Sequence, residues 1–375
     1  MKNTLKSIYL NFRKYLFRVF AIFISQKRVF HDRSGPEVKK ILFIRIDRLG
    51  DLVLSTPAIK ALKEKYPRSK LVVLASRANC SLLENNPYVD HTVIYDPSKN
   101  LWTKIRNILQ LRNYRFDLAI DPYADYELKT ALIAFLSGAK KRIGYVSYGR
   151  EIFFNLRAPE IEKEKHFVDL TIDVLKPIGV ISKENNPEIF LVGDEKKWAR
   201  NWLKERRLGT KPIVGIHPGA YYESQRWPSE NFAEIVCQLK KDNSVDLILF
   251  GGPGDEMQID RIASLSGEDI VTYITDDLRQ FSVLVSCCRV FICNNSGPLH
   301  IAVAVNTPTI SFMGPTHKNR WMPIGDIHKV LRIDDLSCIG CNLGYCKIKT
   351  HDCMELISPQ MVMDAAEELL KTKSA

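Results

Sequence analysis

The chain has 375 residues, which is more than one ordinary hydrophobic core accommodates and suits two domains. With 45% hydrophobic and 26% charged residues, it has the composition of a globular protein and contains no low-complexity tract or internal repeat. The formal net charge of +11 favours anionic partners such as nucleotides, acidic sugars or phospholipids. The sequence contains no nucleic-acid-binding motif, so we expect no nucleic-acid partner.

A basic segment over residues 1–38 opens the chain. Residues 1–31 carry seven lysines and arginines and no acidic residue. Five of these cations fall within a little under half of a helical wheel, at about 100° per residue, and aromatic and aliphatic residues lie between them. This pattern predicts an amphipathic helix in a membrane interface. Arg18 interrupts the apolar run well short of the ~20 residues of a spanning helix, and no signal-peptide cleavage site follows. The alternative is a helix packed on the body of the protein.

An alternation of strands and helices begins at about residue 39. We predict strands at 41–46, 71–74, 91–95 and 116–121, and helices at 52–66, 78–85, 99–112, 127–137 and 165–178. Such an alternation predicts a parallel sheet with right-handed crossovers. Gly179 and the polar run 182–187 mark a boundary, and we place the first domain at 39–190.

The alternation restarts in a second domain at 191–357, followed by a C-terminal helical segment at 358–375. Its predicted strands are 213–217, 245–250, 269–273, 290–293 and 309–313, and its predicted helices are 194–206, 229–240, 256–265, 278–287, 298–305 and 358–371. Two successive α/β halves of similar size predict two Rossmann-like domains with parallel sheets facing across a cleft.

The first strand leads through Gly50 into Asp51 at the start of a helix. Ligands of open α/β sheets bind at the carboxyl ends of strands. A carboxylate at that position is placed to accept a proton from a bound hydroxyl. The alternative is that Asp51 only caps its helix. Asp47, in the same loop, is a rival for the role of the base.

Four strand ends in the second half are rich in glycine and polar residues. Glycines allow a ligand to approach the backbone, and helix N-termini attract anions, so these ends together can hold a diphosphate. Arg226 adds a cation that could neutralise a leaving phosphate, or it could form a surface salt bridge. The sequence has no dinucleotide-binding Gly-x-Gly-x-x-Gly and no Walker loop, which counts against a dehydrogenase or an ATPase. The candidate donor-binding residues are His217, Gly219, Arg226, Gly252, Asn295, Ser296, Gly297, His300 and Gly314.

Nine cysteines are present, and five of them are scattered through segments whose sequence pattern is that of strands or helices. The odd count and the absence of an export signal indicate a reducing compartment. The other four have a spacing that could hold a structural zinc ion as a thiolate tetrad. The alternative is a glycine-rich loop with free thiols. The four cysteines are Cys338, Cys341, Cys346 and Cys353.

Several short motifs follow one another from about residue 39 to the C-terminus. They are Gly50-Asp51 with Thr56-Pro57-Ala58, Arg142-Ile143-Gly144-Tyr145, Lys165-His166-Phe167-Val168, His217-Pro218-Gly219, Arg226-Trp227-Pro228, Asn295-Ser296-Gly297-Pro298 with His300, Gly314-Pro315-Thr316, and the cysteine cluster at 338–353. In this order, they resemble glycosyltransferase family nine, the ADP-heptose:lipopolysaccharide heptosyltransferases of Gram-negative bacteria.

The resemblance implies a GT-B fold, with an acceptor-binding N-terminal domain and a C-terminal domain that binds the nucleotide-sugar. It implies an inverting, metal-independent transfer from ADP-heptose to a lipopolysaccharide core or another lipid-linked glycan, with no cofactor required. It places the protein in the cytoplasm, peripheral on the inner face of the inner membrane. Asp51 falls on the general base and Arg226 on the cation that faces the donor phosphates. The donor-phosphate loop falls on Ser296, Gly297 and His300.

One departure from the family concerns Asn295, where many members have aspartate, and it leaves the donor sugar open. Arg48, Lys129 and Arg142 are candidate acceptor-binding cations, suited to an acidic sugar or to phosphate, and solvated surface charges are the alternative. Three other functions remain open. They are the transfer of another nucleotide-sugar onto O-antigen or a similar glycan, nucleotide-sugar epimerisation, and non-catalytic binding at a membrane surface.

Overall fold

The computed structural model describes Leu10, Arg13 and residues 37–124, 127–162, 164–182 and 184–371. Its contacts divide the chain into two compact units, Met1–Asn185 and Asn186–Ala375. The membrane-interface helix predicted over 1–31 lies outside the described residues, except for Leu10 and Arg13. Arg13 is buried, and its Nε donates a hydrogen bond of 2.9 Å to the carbonyl of Tyr148. This cation therefore contacts the body of the first unit. None of the described helices is long and apolar enough to cross a bilayer.

The first unit contains a six-stranded parallel sheet in the order β3-β2-β1-β4-β5-β6. Its strands are β1 (Lys40–Arg45), β2 (Lys70–Ser76), β3 (His91–Tyr95), β4 (Leu118–Asp121), β5 (Lys141–Gly144) and β6 (Leu156–Arg157). Its helices are α1 (Leu49–Val53), α2 (Thr56–Lys65), α3 (Leu101–Gln110), α4 (Lys129–Leu136) and α5 (Phe167–Asp173), with 3-10 turns at Cys80–Leu83, Leu111–Tyr114, Arg150–Phe153 and Lys176–Ile178.

The second unit contains another six-stranded parallel sheet, in the order β12-β11-β10-β7-β8-β9. Its strands are β7 (Ile213–His217), β8 (Asp246–Gly251), β9 (Val271–Ile274), β10 (Val290–Asn294), β11 (Thr309–Phe312) and β12 (Lys329–Leu331). Its helices are α6 (Gly193–Glu205), α7 (Ser229–Asp242), α8 (Glu256–Ser266), α9 (Leu278–Val285), α10 (Gly297–Ala304), α11 (Lys318–Trp321), α12 (Asp352–Glu355) and α13 (Pro359–Lys371), with a 3-10 turn at Glu223–Gln225.

Each sheet reverses its strand order beside its first strand. The reversal falls between β1 and β4 in the first unit and between β7 and β10 in the second. Strands β1 and β7 are buried along almost their full length, as expected for central parallel strands covered on both faces. Ligands of doubly wound sheets bind at such a switch point, beyond the carboxyl ends of the strands. In each unit, the switch point is therefore the first place to examine for a site.

The structure corrects one predicted element next to the candidate base. The helix predicted at 52–66 is wrong as a single helix, because the chain forms α1 and α2 with a break at Leu54 and Ser55. Ser55 is fully buried, and its hydroxyl accepts a hydrogen bond from Arg45 Nε at 2.7 Å. The same hydroxyl donates to the carbonyl of Asp51 at 2.6 Å. Ser55 therefore fixes the end of the short helix that carries Asp51.

Candidate functional site

Asp51 lies in the middle of α1, at the carboxyl edge of the first sheet, and is half-buried. The N-cap residue of α1 is Arg48, and no side chain caps that helix. The interpretation of Asp51 as a helix cap is therefore wrong. Because the hydroxyl of Ser55 bonds to the carbonyl of Asp51, the backbone that carries this carboxylate is held in place.

Asp47 is a second carboxylate at the same edge, and it lies in a more buried environment. Arg45 Nη1 lies 2.9 Å from Asp47 Oδ2, and the Arg45 side chain is only 1% exposed. Burial raises the pKa of Asp47 to about 7, although the charge of Arg45 lowers it, and the nearby charge of Asp51 raises it further. Asp47 Oδ1 has no hydrogen-bond partner among the described residues. Asp47 therefore holds a proton more strongly than an ordinary aspartate does.

Arg45 and Asn79 hold the loop between β1 and α1. The guanidinium carbon of Arg45 lies 5.0 Å from the centre of the Phe167 ring, on α5. Asn79 is fully buried, and its Nδ2 donates to the carbonyls of Asp47 at 3.2 Å and Arg48 at 3.4 Å. These contacts fix both carboxylates relative to the sheet. Sequence reasoning missed Asn79 because it is far from the loop along the chain.

In the second unit, the four glycine-rich ends belong to β8, β7, β10 and β11, which are neighbours in the sheet. Gly219 follows β7 and touches Asp255, since a Cβ on this glycine would lie 2.4 Å from Asp255 Oδ1. The amide of Gly252, after β8, donates to Asp255 Oδ2 at 3.0 Å. His217 is buried with its Nε2 3.7 Å from Asp255 Oδ2, and burial lowers the pKa of His217, so it is neutral at pH 7. The candidates His217, Gly219 and Gly252 thus come together around a carboxylate.

Asn294 joins the loop after β7 to the segment that carries Arg226. Its Nδ2 donates to the carbonyl of Pro218 at 2.5 Å, and its Oδ1 accepts from the amide of Trp227 at 3.0 Å. Trp227 is 1% exposed and stacks on Phe312 with ring centres 4.6 Å apart. Arg226 is half-buried, and its Nε donates to the carbonyl of Ala220 at 3.1 Å. The predicted cation therefore lies against the predicted diphosphate loop.

The loop after β10 leads directly into α10, whose N-cap residue is Ser296. Asn295 is 5% exposed, and its Nδ2 has no hydrogen-bond partner among the described residues. Gly297 opens α10, and His300 is buried on the first turn. No side chain caps α10, Pro298 in its first turn has no amide hydrogen, and the amide of Leu299 donates to the carbonyl of Ser296 at 3.1 Å. Gly314 follows β11 and is buried against α12.

The three candidate acceptor cations lie in different places of the first unit. Arg48 is exposed at the start of α1, beside Asp51. Lys129 begins α4, with its Nζ 4.9 Å from the centre of the Tyr95 ring at the carboxyl end of β3. Arg142 lies in β5, and its guanidinium donates to the carbonyls of Phe153 and Ala139 at 2.8 and 2.7 Å. Acceptor binding stays a prediction for all three, and the hydrogen bonds of Arg142 favour a structural role.

Two of the family motifs in the first unit build the fold. Gly144 ends β5 against the ring of Phe154, which a Cβ would approach to 2.2 Å. His166 is the N-cap of α5, and its Nδ1 accepts from the amide of Val168 at 3.3 Å. These residues therefore contribute to the local structure at the ends of β5 and α5.

The four clustered cysteines are free thiols in the second unit. Burial raises the pKa of Cys353 to about 11, with a smaller contribution from the three neighbouring thiols. Cys353 is therefore a protonated thiol at neutral pH. Among the described residues, which include 338–353, no group of three or more His, Cys, Asp or Glu side chains is arranged to hold a metal ion. The structure does not support the predicted zinc site, which stays a prediction.

Two Rossmann-type parallel sheets, one with a carboxylate at its switch point and one with glycine-rich loops, define the GT-B class of glycosyltransferases. The sequence model of glycosyltransferase family 9 (heptosyltransferase) matches residues 105–350. The chain belongs to this family and is a glycosyltransferase, so the family and the fold predicted from the sequence are confirmed.

Known relatives agree with this assignment. Lipooligosaccharide heptosyltransferase 2 of Haemophilus influenzae is 28% identical over 88% of this chain and 99% of its own length. A crystal structure of a family 9 glycosyl transferase from Veillonella parvula aligns with a TM-score of 0.78 and 23% identity, over 90% of this chain and 99% of that one. ADP-heptose lipopolysaccharide heptosyltransferase II of E. coli aligns with a TM-score of 0.72 and 23% identity, over 88% and 98% of the two chains. These two structural matches show the shared fold.

Proposed function

We propose that this glycosyltransferase moves a heptose from ADP-heptose onto a hydroxyl of a lipopolysaccharide core. Membership of family 9, which is described as the heptosyltransferase family, is the observation that carries the proposal. Similarity to heptosyltransferases along almost the whole chain supports it. The donor domain in this proposal is 191–357, and the acceptor domain is 39–190.

The donor diphosphate binds at the carboxyl edge of the second sheet. Asp255 holds the loops of Gly219 and Gly252 in place, and the positive dipole end of α10 attracts the diphosphate. Arg226, held beside the carbonyl of Ala220, neutralises the charge that develops on the leaving diphosphate. No metal ion takes part in this proposal. His217, Asn295, Ser296, Gly297, His300 and Gly314 line the same edge.

The transfer is a single inverting displacement with Asp51 as the base. The acceptor oxygen forms a bond to the anomeric carbon while the bond between that carbon and the diphosphate oxygen breaks. The hydroxyl proton passes to a carboxylate oxygen of Asp51, and ADP leaves from the opposite face of the sugar. A carboxylate is only a modest base at neutral pH. It is effective here because the geometry is fixed and because positive charge develops on the hydroxyl oxygen during transfer, which makes its proton more acidic. The ordered backbone of α1 supports this role.

The acceptor is anchored in a lipid, so the protein works at the cytoplasmic face of the inner membrane. Residues 1–31 are proposed to contribute to membrane contact through their excess of positive charge. Arg48 and Lys129, at the carboxyl edge of the first sheet, are proposed to contact acidic groups of the acceptor.

The test is the release of nucleotide diphosphate from a panel of ADP-, UDP- and GDP-sugars, with and without delipidated lipopolysaccharide core. Release from ADP-heptose that requires the core is the expected result. Release from a different donor would move the protein to another glycan and overturn the heptose assignment. Turnover without any acceptor would identify a nucleotide-sugar epimerase. No turnover of any donor would favour a binding protein.

Replacing the proposed base gives the first prediction. We expect Asp51→Asn to lower kcat by about 100-fold or more, because general-base assistance typically contributes ~10²–10⁴. The Kd for ADP, measured by calorimetry, should not change, since the donor loops lie in the second unit. Asp47→Asn serves as the comparison, because it changes the rival carboxylate in the same loop. A larger loss of kcat in Asp47→Asn than in Asp51→Asn would transfer the role of base to Asp47.

A further inference from the structure

Helix α3 of the first unit exposes a strip of apolar side chains. None of its ten residues is buried, and Trp102 exposes 80% of its surface, Leu101 68% and Leu109 40%. At about 100° per residue, these three side chains fall within a single arc of about 100°. Ile108, on the adjacent side, packs against the core of the unit. The helix is thus attached to the protein by one side and presents apolar residues to solvent on the next.

Positive charge surrounds this strip. Between Asp96 and Asp117 the chain carries five cations and no acidic residue, and the five are Lys99, Lys104, Arg106, Arg112 and Arg115. The two flanking carboxylates are paired elsewhere, with Arg77 at 3.1 Å and Lys140 at 2.8 Å. Arg106 is exposed and lies one turn after Trp102 on the same side of the helix. The chain segment that carries the strip therefore has unpaired charge of one sign among the described residues.

We propose that α3 docks on an anionic lipid bilayer, with Leu101, Trp102 and Leu109 at the level of the headgroups. Tryptophan and leucine flanked by lysine and arginine are the composition of helices that lie in membrane interfaces. A second copy of this chain would bring two cationic surfaces together, which opposes self-association through the strip. Helix α4 packs beside α3, and its Leu132 is also exposed.

The strip lies near the edge of the sheet that carries Asp51. Trp102 is in the first turn of α3, which follows the carboxyl end of β3, and Asp51 follows the carboxyl end of β1 in the same parallel sheet. A bilayer bound at Trp102 would therefore meet the edge at which a lipid-linked hydroxyl is used. This last step rests on the proposed function, whereas the docking surface itself does not depend on the sugar transferred.

The test uses the full chain and vesicles of phosphatidylcholine with or without phosphatidylglycerol. Lipids brominated near the headgroup should quench the fluorescence of Trp102 in the presence of phosphatidylglycerol. Trp102→Phe should still sediment with the vesicles but lose most of this quenching, because Trp227 and Trp202 are buried and the half-buried Trp198 and Trp321 lie in the second unit, outside the strip. Equal quenching of Trp102→Phe and the unaltered protein would overturn the proposal and place membrane contact elsewhere, for example in residues 1–31.

A second pair of variants measures the contribution of the strip to binding. The double variant Trp102→Ser, Leu109→Ser should bind anionic vesicles at least about tenfold more weakly, and added salt should weaken binding by the unaltered protein. Ile181→Ser is the matched control, because Ile181 is 82% exposed in the same unit but outside the strip. Undiminished vesicle binding by the double variant would overturn the proposal, as would a fall in its molecular mass by sedimentation, which would identify the strip as an interface between copies.

Failure of the proposed function gives a different result. Trp102→Phe and the double variant Trp102→Ser, Leu109→Ser should both release nucleotide diphosphate normally with a water-soluble acceptor, since the strip carries no residue of the donor or base sites. If no acceptor supports release but Trp102 is still quenched, heptosyl transfer is wrong and the docking surface remains.

Discussion

Asp47 and Asp51 are four residues apart in sequence, yet the protein places their carboxylates in different environments. Asp47 is paired with buried Arg45, and its pKa is raised to about 7, mainly by burial. Asp51 is half-buried on α1, and the hydroxyl of Ser55 fixes its backbone. Two carboxylates with different surroundings can divide a task, one as a proton acceptor and one as a group that holds the loop. The stability of the protein should report the state of Asp47.

The raised pKa of Asp47 gives a signed prediction for stability against pH. A free aspartate has a pKa of about 3.9, so between pH ~4 and ~7 the folded state holds a proton that the unfolded state has lost. The contribution of Asp47 to the free energy of unfolding therefore falls as pH rises through this window. Asp47→Asn should flatten the profile measured by urea unfolding over the same range.

Asp96→Asn is the control for that measurement. Hydrogen bonds from Ser98 hold the pKa of Asp96 at about 2 in the folded protein. The stability that Asp96 contributes is therefore lost only as the pH drops below ~4. The slope between pH ~4 and ~7 should be unchanged in this variant. If Asp47→Asn and the unaltered protein have the same slope there, Asp47 does not take up a proton on folding.

Asn294 gives a prediction for the donor loop. Its amide bonds to the carbonyl of Pro218 and to the amide of Trp227 from a fully buried position. Asn294→Ala leaves those two backbone groups unsatisfied, which costs ~1–3 kcal/mol for each buried group. We expect a lower midpoint of thermal unfolding and an increase of about tenfold or more in the KM for the donor, with a smaller change in kcat. Loss of stability without any change in this KM would limit Asn294 to a structural role.

At the level of the elements, the sequence predicts most of the described strands and misses three short ones. The strands predicted at 91–95 and 213–217 are confirmed to the residue as β3 and β7. Strands β5, β6 and β12 were not predicted, because runs of two to four residues carry too little periodicity. The break between α1 and α2 depends on Arg45, a tertiary partner of Ser55 that local sequence does not reveal.

The contact between β11 and α12 can be tested with one methyl group. A Cβ on Gly314 would lie 2.7 Å from the sulfur of Met354 and 2.8 Å from that of Cys353. Gly314→Ala should lower stability by ~1–3 kcal/mol, because the two sulfurs and the backbone carbonyl of Cys353, 3.0 Å away, must shift to admit the methyl group. Gly193→Ala is the control, since a Cβ at Gly193 would have no neighbour within 4 Å. Equal midpoints of thermal unfolding for the two variants would show that the loop adapts to the methyl group.

At the level of the whole molecule, the same strand order occurs in both units, and this made it possible to predict which sheet edge carries the candidate donor residues. The glycine-rich sequences after β7, β8, β10 and β11 predicted a donor site at one edge of the second sheet, because most consecutive strands of this fold are neighbours in the sheet. The bonds of Asn294 and the contact of Gly219 with Asp255 were not predictable, since each joins segments far apart in sequence. From the sequence, Arg142 was a candidate acceptor-binding cation. In the fold, its guanidinium donates hydrogen bonds to backbone carbonyls.

The division into two units predicts which loops a bound donor nucleotide should protect from hydrogen exchange. If ADP binds the edge of the second sheet, hydrogen exchange should slow at 217–220, 251–255, 295–300 and 314–316, because ligand contact restrains these loop amides. The loop 46–55 of the first unit holds no proposed donor contact, so we expect less protection there. Mass spectrometry of peptides with saturating ADP measures both, and GDP at the same concentration tests whether adenine is selected. Protection confined to 46–55 would place the nucleotide in the first unit and reverse the proposed assignment of donor and acceptor domains.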